Sequence, residues 1–331
     1  MRAFAFDAYK KPAHEVQISE PVMGDTDLLI TVEAVGLNLL DEKIREGEFK
    51  VLLPYTTPLT LGHDVAGTVI RTGSGVRSFQ PGDRVYARVR DHRIGTLTER
   101  IAVDQADVAL APASVDIVEA ASLPLVALTA WQALVEIGRV TAGQKVLIHA
   151  GAGGVGTIAI QLAKHLGAHV ATTASAKNAE FLHGLGADEV IDYRSQDFAA
   201  ELSGYDLVLD SLGGANLQAS LGVLRRGGIA VGIAGPPTPA FAKQLGLNSV
   251  LRLVMGALSR KVRSAASQLG VRYEFLFMRA DGEQLRRIAE LVDAGAIHPV
   301  VGATYPFDQT PAALASLHTG GTPGKTVVLG A

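Results

Sequence analysis

Three consecutive segments near the middle of the chain narrow the fold more than any other feature. Lys145–Ala150 (KVLIHA) is a short apolar run of the kind that makes a buried strand. Ala150–Gly156 (AGAGGVG) follows at once, with glycines at Gly151, Gly153 and Gly156. Thr157–Leu166 then carries apolar residues at helical spacing. Strand, glycine turn and helix in that order present a helix N-terminus, with its unpaired amides and positive dipole end, to a pyrophosphate. The early glycines permit a tight bend and close approach of a phosphate, and the last lets the helix lie against the sheet. Ala152, Gly154 and Val155 complete the loop as candidate ligand contacts. A glycine triplet alone is a weak signal; its place between these two elements gives it weight.

The alternation continues downstream. His169–Thr172, Val190–Asp192, Leu207–Asp210 and Ile229–Ile233 read as strands, with helical stretches such as Ala176–Leu185 between them. Strands alternating with helices imply right-handed βαβ units and a parallel sheet. The first third is different. Arg2–Phe6, Leu28–Val35, Gly67–Arg71 and Arg84–Ala87 read as short strands separated by turns such as Pro81-Gly82-Asp83, which suggests a small folded-over β domain. The rhythm changes near Ala120, and 331 residues suit two domains. Leu245–Leu269 reads as one helical stretch bearing Arg252, Arg260, Lys261 and Arg263, most simply a solvated face. Glu274–Met278 reads as a strand and Glu283–Ala294 as an amphipathic helix.

Composition removes several chemistries. The chain has no cysteine, which excludes disulfides, thiolate catalysis and Cys-ligated zinc or iron–sulfur centres. A net charge of −3 argues against a nucleic-acid or anionic-membrane partner. Apolar runs are broken before they reach spanning length, as Glu119 and Pro124 break Val118–Leu134. Met1-Arg2 leads straight into a strand with no leader pattern, and a cytoplasmic setting is expected.

The end of the second strand of a dinucleotide-binding unit reads the ribose, and an acid there favours NAD. Here the chain runs Ala171-Thr172-Thr173-Ala174-Ser175-Ala176-Lys177, with no acid before Glu180. Hydroxyls and an ammonium suit a 2′-phosphate, so NADPH is the expected cofactor.

Further motifs stand in a fixed order. They are Gly36-Leu37-Asn38 with Asp41 and Lys43, Pro58–Gly67 (PLTLGHDVAG), Phe79–Val85 (FQPGDRV) and Leu128–Trp131 (LTAW), all before the glycine loop. After it come Gly186-Ala187-Asp188, Ile191-Asp192-Tyr193, Asp210–Gly214 (DSLGG), Arg226-Gly227-Gly228 and Gly324-Lys325. In these motifs the chain resembles, over essentially its whole length, the zinc-independent branch of the medium-chain dehydrogenase/reductase superfamily. That branch holds the quinone oxidoreductases and alkenal/enone reductases.

The resemblance implies an α/β fold. A GroES-like β-rich catalytic domain is built from both chain ends, residues 1–118 and 279–331. A Rossmann domain with a doubly wound parallel sheet occupies 119–278, and the active site lies in the cleft. By position, NADPH would be lined by Asn38, Thr129, the glycine loop, Thr173, Ser175, Lys177 and Tyr193. Ser211, Leu212, Gly213, Ile233, Ala234, Gly235, Phe275, Leu276, Phe277 and Lys325 would complete the lining. A homodimer joined partly through Glu274–Met278 is implied as well.

Asn38, Asp41, Lys43 and Tyr55 are the catalytic candidates. The Asn38 amide is expected to donate to a substrate oxygen or orient the cofactor. Lys43, oriented by Asp41, is expected to neutralise an enolate; Tyr55 is one candidate proton donor and water the other. No metal is expected: His63-Asp64 resembles the His-Glu pair of zinc relatives, but without cysteine ligands it reads as a turn and packing feature. The expected substrate is a small quinone or α,β-unsaturated ketone or aldehyde, reduced by hydride transfer. The alternative is an NADPH-binding structural or regulatory protein with little turnover, because fold alone does not establish chemistry.

Overall fold

A computed structural model describes residues 1–319 and 322–331. The chain forms two compact units, one from Met1–Leu128 with Arg279–Ala331 and one from Thr129–Met278.

The larger unit is built on β-strands from both chain ends. A mixed sheet runs in the order Val301–Tyr305, Lys325–Leu329, Asp27–Gly36, Asp64–Thr72, Arg84–Arg88 and Val108–Leu110, and Arg100–Asp104 also pairs with Asp27–Gly36. A second, three-stranded sheet sets Arg2–Phe6 between His14–Gln17 and Leu59–Thr60. Alternate apolar residues of these strands, among them Phe4, Phe6, Leu28, Ile30, Val65 and Val85, close one core. Phe307 and Val328 from the chain end join it. Pairing of Val328 with Val35 brings the C-terminal strand alongside the N-terminal one. That register places Lys325 at the turn into helix Leu39–Glu46, where Leu37 N–H also donates to the Thr326 carbonyl at 2.9 Å.

The switch between units falls at 128/129 rather than at 118/119. Helix Ile117–Ala121 lies so close on the first sheet that a Cβ on Gly36 would stand 2.3 Å from the Ala121 carbonyl oxygen. Leu125 N–H, in the next helix, donates to Asp64 Oδ1 at 2.9 Å. These contacts hold residues 117–128 with the unit that contains Gly36 and Asp64.

The second unit has a six-stranded, all-parallel sheet. In space its order is Glu189–Asp192, His169–Ala174, Lys145–Ile148, Tyr205–Asp210, Leu224–Gly232, Arg272–Phe275. Numbered along the unit this is 3-2-1-4-5-6, the doubly wound dinucleotide-binding order. The strand expected over Glu274–Met278 runs instead over Arg272–Phe275, at an open edge of the sheet. The stretch expected as one helix over Leu245–Leu269 forms two, Ser249–Leu258 and Arg260–Leu269. They break at Ser259, whose buried hydroxyl donates to the Met255 carbonyl at 2.7 Å. A serine hydroxyl that bonds back to the preceding turn bends a helix in this way.

Candidate functional site

In the second unit, strand Lys145–Ile148 ends in the glycine loop and helix Gly154–His165 begins with Gly153 as its N-cap. Ala150 turns the chain at φ 54°, a left-handed conformation that costs an L residue energy. The three glycines face different surroundings. A Cβ on Gly151 would meet Thr172 Oγ1 at 2.1 Å, and one on Gly156 would meet the Ala150 carbonyl oxygen at 2.5 Å. On Gly153 its one close contact is that same carbonyl oxygen at 3.3 Å. Gly151 and Gly156 therefore serve packing, whereas Gly153 keeps an open face at the helix N-terminus. The loop fits a pyrophosphate brought against the backbone.

The other expected cofactor residues of this unit follow the carboxyl ends of the parallel strands, where doubly wound sheets bind ligands. Ser175 and Lys177 follow His169–Ala174, and Lys177 is exposed on the short turn Ala176–Asn178. Tyr193, 60% exposed, follows Glu189–Asp192, with the Arg194 guanidinium 5.7 Å from its ring centre. Ser211, Leu212 and Gly213 follow the fourth strand and Ile233, Ala234 and Gly235 the fifth. The two loops touch, since a Cβ on Gly213 would lie 2.6 Å from the Ala234 carbonyl oxygen. Asp210 shapes the fourth-strand loop by accepting from Leu212 N–H at 3.2 Å and Gly213 N–H at 2.6 Å. Burial pushes its carboxyl above the usual aspartate range, and those amides act against the shift.

Several side chains are committed elsewhere. Thr173 Oγ1 lies 3.0 Å from His149 Nδ1 and accepts from Ala150 N–H at 3.2 Å, so it fixes the loop from beneath rather than offering a hydroxyl to a ligand. The Ser211 hydroxyl donates to the His149 carbonyl at 3.3 Å. His149 is held to about 4 by burial and is neutral at ordinary pH. Phe275 and Phe277 both pack on Phe241, Leu276 is buried between them in sequence, and Thr129 is buried.

The first unit holds a buried polar cluster that the sequence reading scatters over unrelated roles. Asn38 Nδ2 donates to Asp64 Oδ2 at 3.0 Å and to the Gly36 carbonyl at 3.2 Å. Its Oδ1 accepts from Lys325 Nζ at 2.5 Å. An ammonium has no acceptor, so the amide orientation is fixed by its neighbours. Both amide protons are in use, and Asn38 has none for a substrate oxygen without breaking a bond. Lys325, expected along the cofactor, is buried and donates to the Leu37 carbonyl at 2.5 Å as well as to Asn38, with Asp64 Oδ2 at 3.5 Å. Burial pushes the Lys325 ammonium down and the Asp64 carboxyl up, and each partner opposes the other's shift.

Asp41 does not orient Lys43. Its Oδ2 accepts from Asn38 N–H at 2.8 Å, closing the first turn of helix Leu39–Glu46, and its Oδ1 lies 2.6 Å from His63 Nδ1. Lys43 points to the surface, 3.8 Å from Glu48, where a solvated ion pair contributes little. His63 and Asp64, read as a packing turn, are fully buried members of the cluster, and among the described residues no group partners His63 Nε2. Their signal is two adjacent polar residues at the entry to the apolar strand Asp64–Thr72.

Tyr55 is half-buried. Burial, followed by the charge of Asp91, pushes its phenol up to about 12. Its oxygen accepts a long bond from His92 N–H at 3.5 Å. Close by in the chain's fold, Arg88 is fully buried and donates to Asp91 Oδ1 at 2.7 Å.

The donor set for a catalytic zinc is poor. There is no cysteine, no group of three His, Asp or Glu side chains suited to a metal occurs among the described residues, and a fixed ammonium occupies the polar cluster.

Comparison with known proteins agrees with this architecture. Residues 24–113 match the alcohol dehydrogenase GroES-like domain and residues 185–328 the zinc-binding dehydrogenase model. The mitochondrial NAD(P)H oxidoreductase RTN4IP1 of Bos taurus is 37% identical over 91% of this chain and 81% of its own. The chloroplastic NADPH-dependent alkenal/one oxidoreductase of Arabidopsis thaliana is 33% identical over 95% of this chain and 75% of its own. Among solved structures, the quinone oxidoreductase from Coxiella burnetii superposes with a TM-score of 0.85 at 30% identity, covering 99% of both chains. The chain belongs to the medium-chain dehydrogenase/reductase superfamily, in the branch of the quinone oxidoreductases and alkenal/enone reductases.

Proposed function

We propose that the protein is an NADPH-dependent, zinc-independent reductase of quinones or of the C=C bond of α,β-unsaturated ketones and aldehydes. The observation that carries the reading is the open face of Gly153 at a helix N-terminus, at the end of the first strand of a 3-2-1-4-5-6 sheet. Names of relatives support it, one of them an NADPH-dependent alkenal/one oxidoreductase. When bound, the cofactor supplies a hydride; the chain's own residues bind it and handle the charge that develops on the acceptor.

Of the four catalytic candidates, Tyr55 is best suited to that second task. A phenol held near 12 stays protonated across the working range of pH and can donate to an enolate or quinol oxygen as charge develops there. The Lys325 ammonium, fixed by Asn38 and Asp64, supplies positive charge without a metal. Asn38 is in this reading a positioning residue for Lys325 rather than a donor to substrate.

Preference for NADPH over NADH rests on the absence of an acid after the second strand and on Lys177. A charge-assisted contact with a phosphate contributes about 1.5–3 kcal/mol, roughly 10- to 150-fold in affinity. Lys177→Ala is therefore expected to weaken NADPH binding by that factor and leave NADH nearly unchanged, as fluorescence titration of both cofactors reads. Equal weakening of the two contradicts the assignment.

The proposal includes a homodimer, supported by the open sheet edge at Arg272–Phe275, where unpaired backbone groups invite a second strand. The proposal also includes a cytoplasmic setting, which a cysteine-free chain fits and which cell fractionation reads.

A further inference from the structure

Charge is segregated along this chain. From Ser211 to Tyr273 there are eight Lys or Arg residues and not one Asp or Glu, although the whole protein carries a net charge of −3. Helices Ser249–Leu258 and Arg260–Leu269 lie within that basic stretch.

The first of these helices turns its apolar side outward. Val250, Leu253, Val254 and Leu258 are 67%, 76%, 47% and 61% exposed. With exposed Ala257 they recur at i, i+3, i+4, i+7 and i+8, one continuous stripe along the helix. Apolar stripes of this period normally face a core, and contiguous ones left on the outside mark an interaction surface. Arg252 lies on the same helix, and Arg260 and Lys261 begin the next, all three exposed. Arg260 and Lys261, with Ser264, Gln268 and Gln218, line an adjoining shallow groove of about 570 Å³.

We propose that this face docks on an anionic phospholipid surface. An amphipathic helix with an apolar stripe and flanking cations lies in the plane of a bilayer interface, its side chains among the acyl ends and its cations at the phosphates. The groove with its two cations and three polar side chains suits a phosphate headgroup. A second copy of the chain is the poorer occupant. Two-fold pairing through this face would oppose Arg252, Arg260 and Lys261 to their own copies, and the stretch has no acid to offset them. No helix among the described residues is long and apolar enough to cross a membrane, so the contact is with the surface. The net charge, which argued against such a partner, averages over two regions of opposite character. The proposal is independent of which acceptor the enzyme reduces.

Sedimentation with vesicles tests it, using phosphatidylcholine alone and phosphatidylcholine with one third phosphatidylglycerol. The full chain is expected to sediment with the anionic vesicles and to be released by high salt. Each basic side chain near such a surface contributes about fivefold, so Arg260→Gln with Lys261→Gln should weaken binding roughly 25-fold. Leu253→Ser with Leu258→Ser should weaken it at least about tenfold through lost apolar insertion. Turnover of a water-soluble acceptor should be unchanged in both. Failure to sediment with anionic vesicles, or equal binding by both variants and the wild type, overturns the proposal. So does a fall in light-scattering mass in the leucine variant, which would place a second copy on this face.

Discussion

Replacing Asp64 by Ala is expected to cost about 3–5 kcal/mol of folding stability, because it removes one member of a buried ion pair and strands the other. Asp64 is fully buried and accepts from the Asn38 amide, from Leu125 N–H and from the Lys325 ammonium. Without it a buried ammonium keeps one carbonyl and one amide oxygen as partners, and the bond from the Leu125 amide to Asp64 is lost. Hydrogen exchange in strands Asp27–Gly36 and Asp64–Thr72 reads the unit concerned by itself, which a single transition of a two-unit chain does not. Adding Lys325→Met should restore a large part of the loss, since the stranded charge is then gone. A loss below about 1 kcal/mol for Asp64→Ala would show that water reaches the cluster and that its charges are screened.

Gly153→Val is expected to weaken NADPH binding roughly 10²- to 10⁴-fold with only a modest effect on folding. Gly153 has φ −77° and ψ 168°, an extended conformation that valine adopts readily. Its Cβ would meet a single carbonyl oxygen at 3.3 Å. Replacing glycine at an N-cap by an aliphatic residue costs about 1 kcal/mol. The side chain would, however, fill the space at the helix N-terminus and hold a pyrophosphate away from the amides. Two charge-assisted bonds at about 1.5–3 kcal/mol each give the stated range. Gly156→Val is the control: its Cβ would press on backbone at 2.5 Å, so folding and binding should fail together. Isothermal titration and thermal unfolding on both variants separate the two roles. Unchanged NADPH affinity in Gly153→Val would remove the loop from the cofactor site.

How far the sequence could be read follows from the range of the interactions involved. The glycine loop and its flanking elements are local, each set by a few consecutive residues, and the alternation of strands and helices is enough to imply a parallel sheet. The polar cluster is not local. Asn38, Asp64 and Lys325 meet because strand Lys325–Leu329 pairs with Asp27–Gly36 and Asp64–Thr72 pairs with its other side. Registers between segments far apart in the chain carry no signature in any short window. From sequence alone Asn38 therefore offers free donors and Asp41 pairs with Lys43, its near neighbour in the chain, whereas the fold pairs Asp41 with His63. Strand His14–Gln17 has no sequence signature, because it is mostly exposed and lacks apolar alternation. The outward stripe of Ser249–Leu258 was hidden for a different reason: periodicity shows that a helix has an apolar side but not which way that side faces.

The central claim is that the chain directs a nicotinamide hydride to a conjugated acceptor. Product analysis after turnover of an α,β-unsaturated ketone with NADPH deuterated at the transferred position tests it most directly. The donor set suits zinc poorly, so direct addition to the carbonyl would lack a metal to hold the alkoxide, whereas conjugate addition spreads charge over an enolate that a phenol such as Tyr55 can meet. The account predicts a saturated ketone with deuterium on the β-carbon. Deuterium on the carbonyl carbon of an allylic alcohol, or no turnover of enones and quinones by protein that binds NADPH, would contradict it.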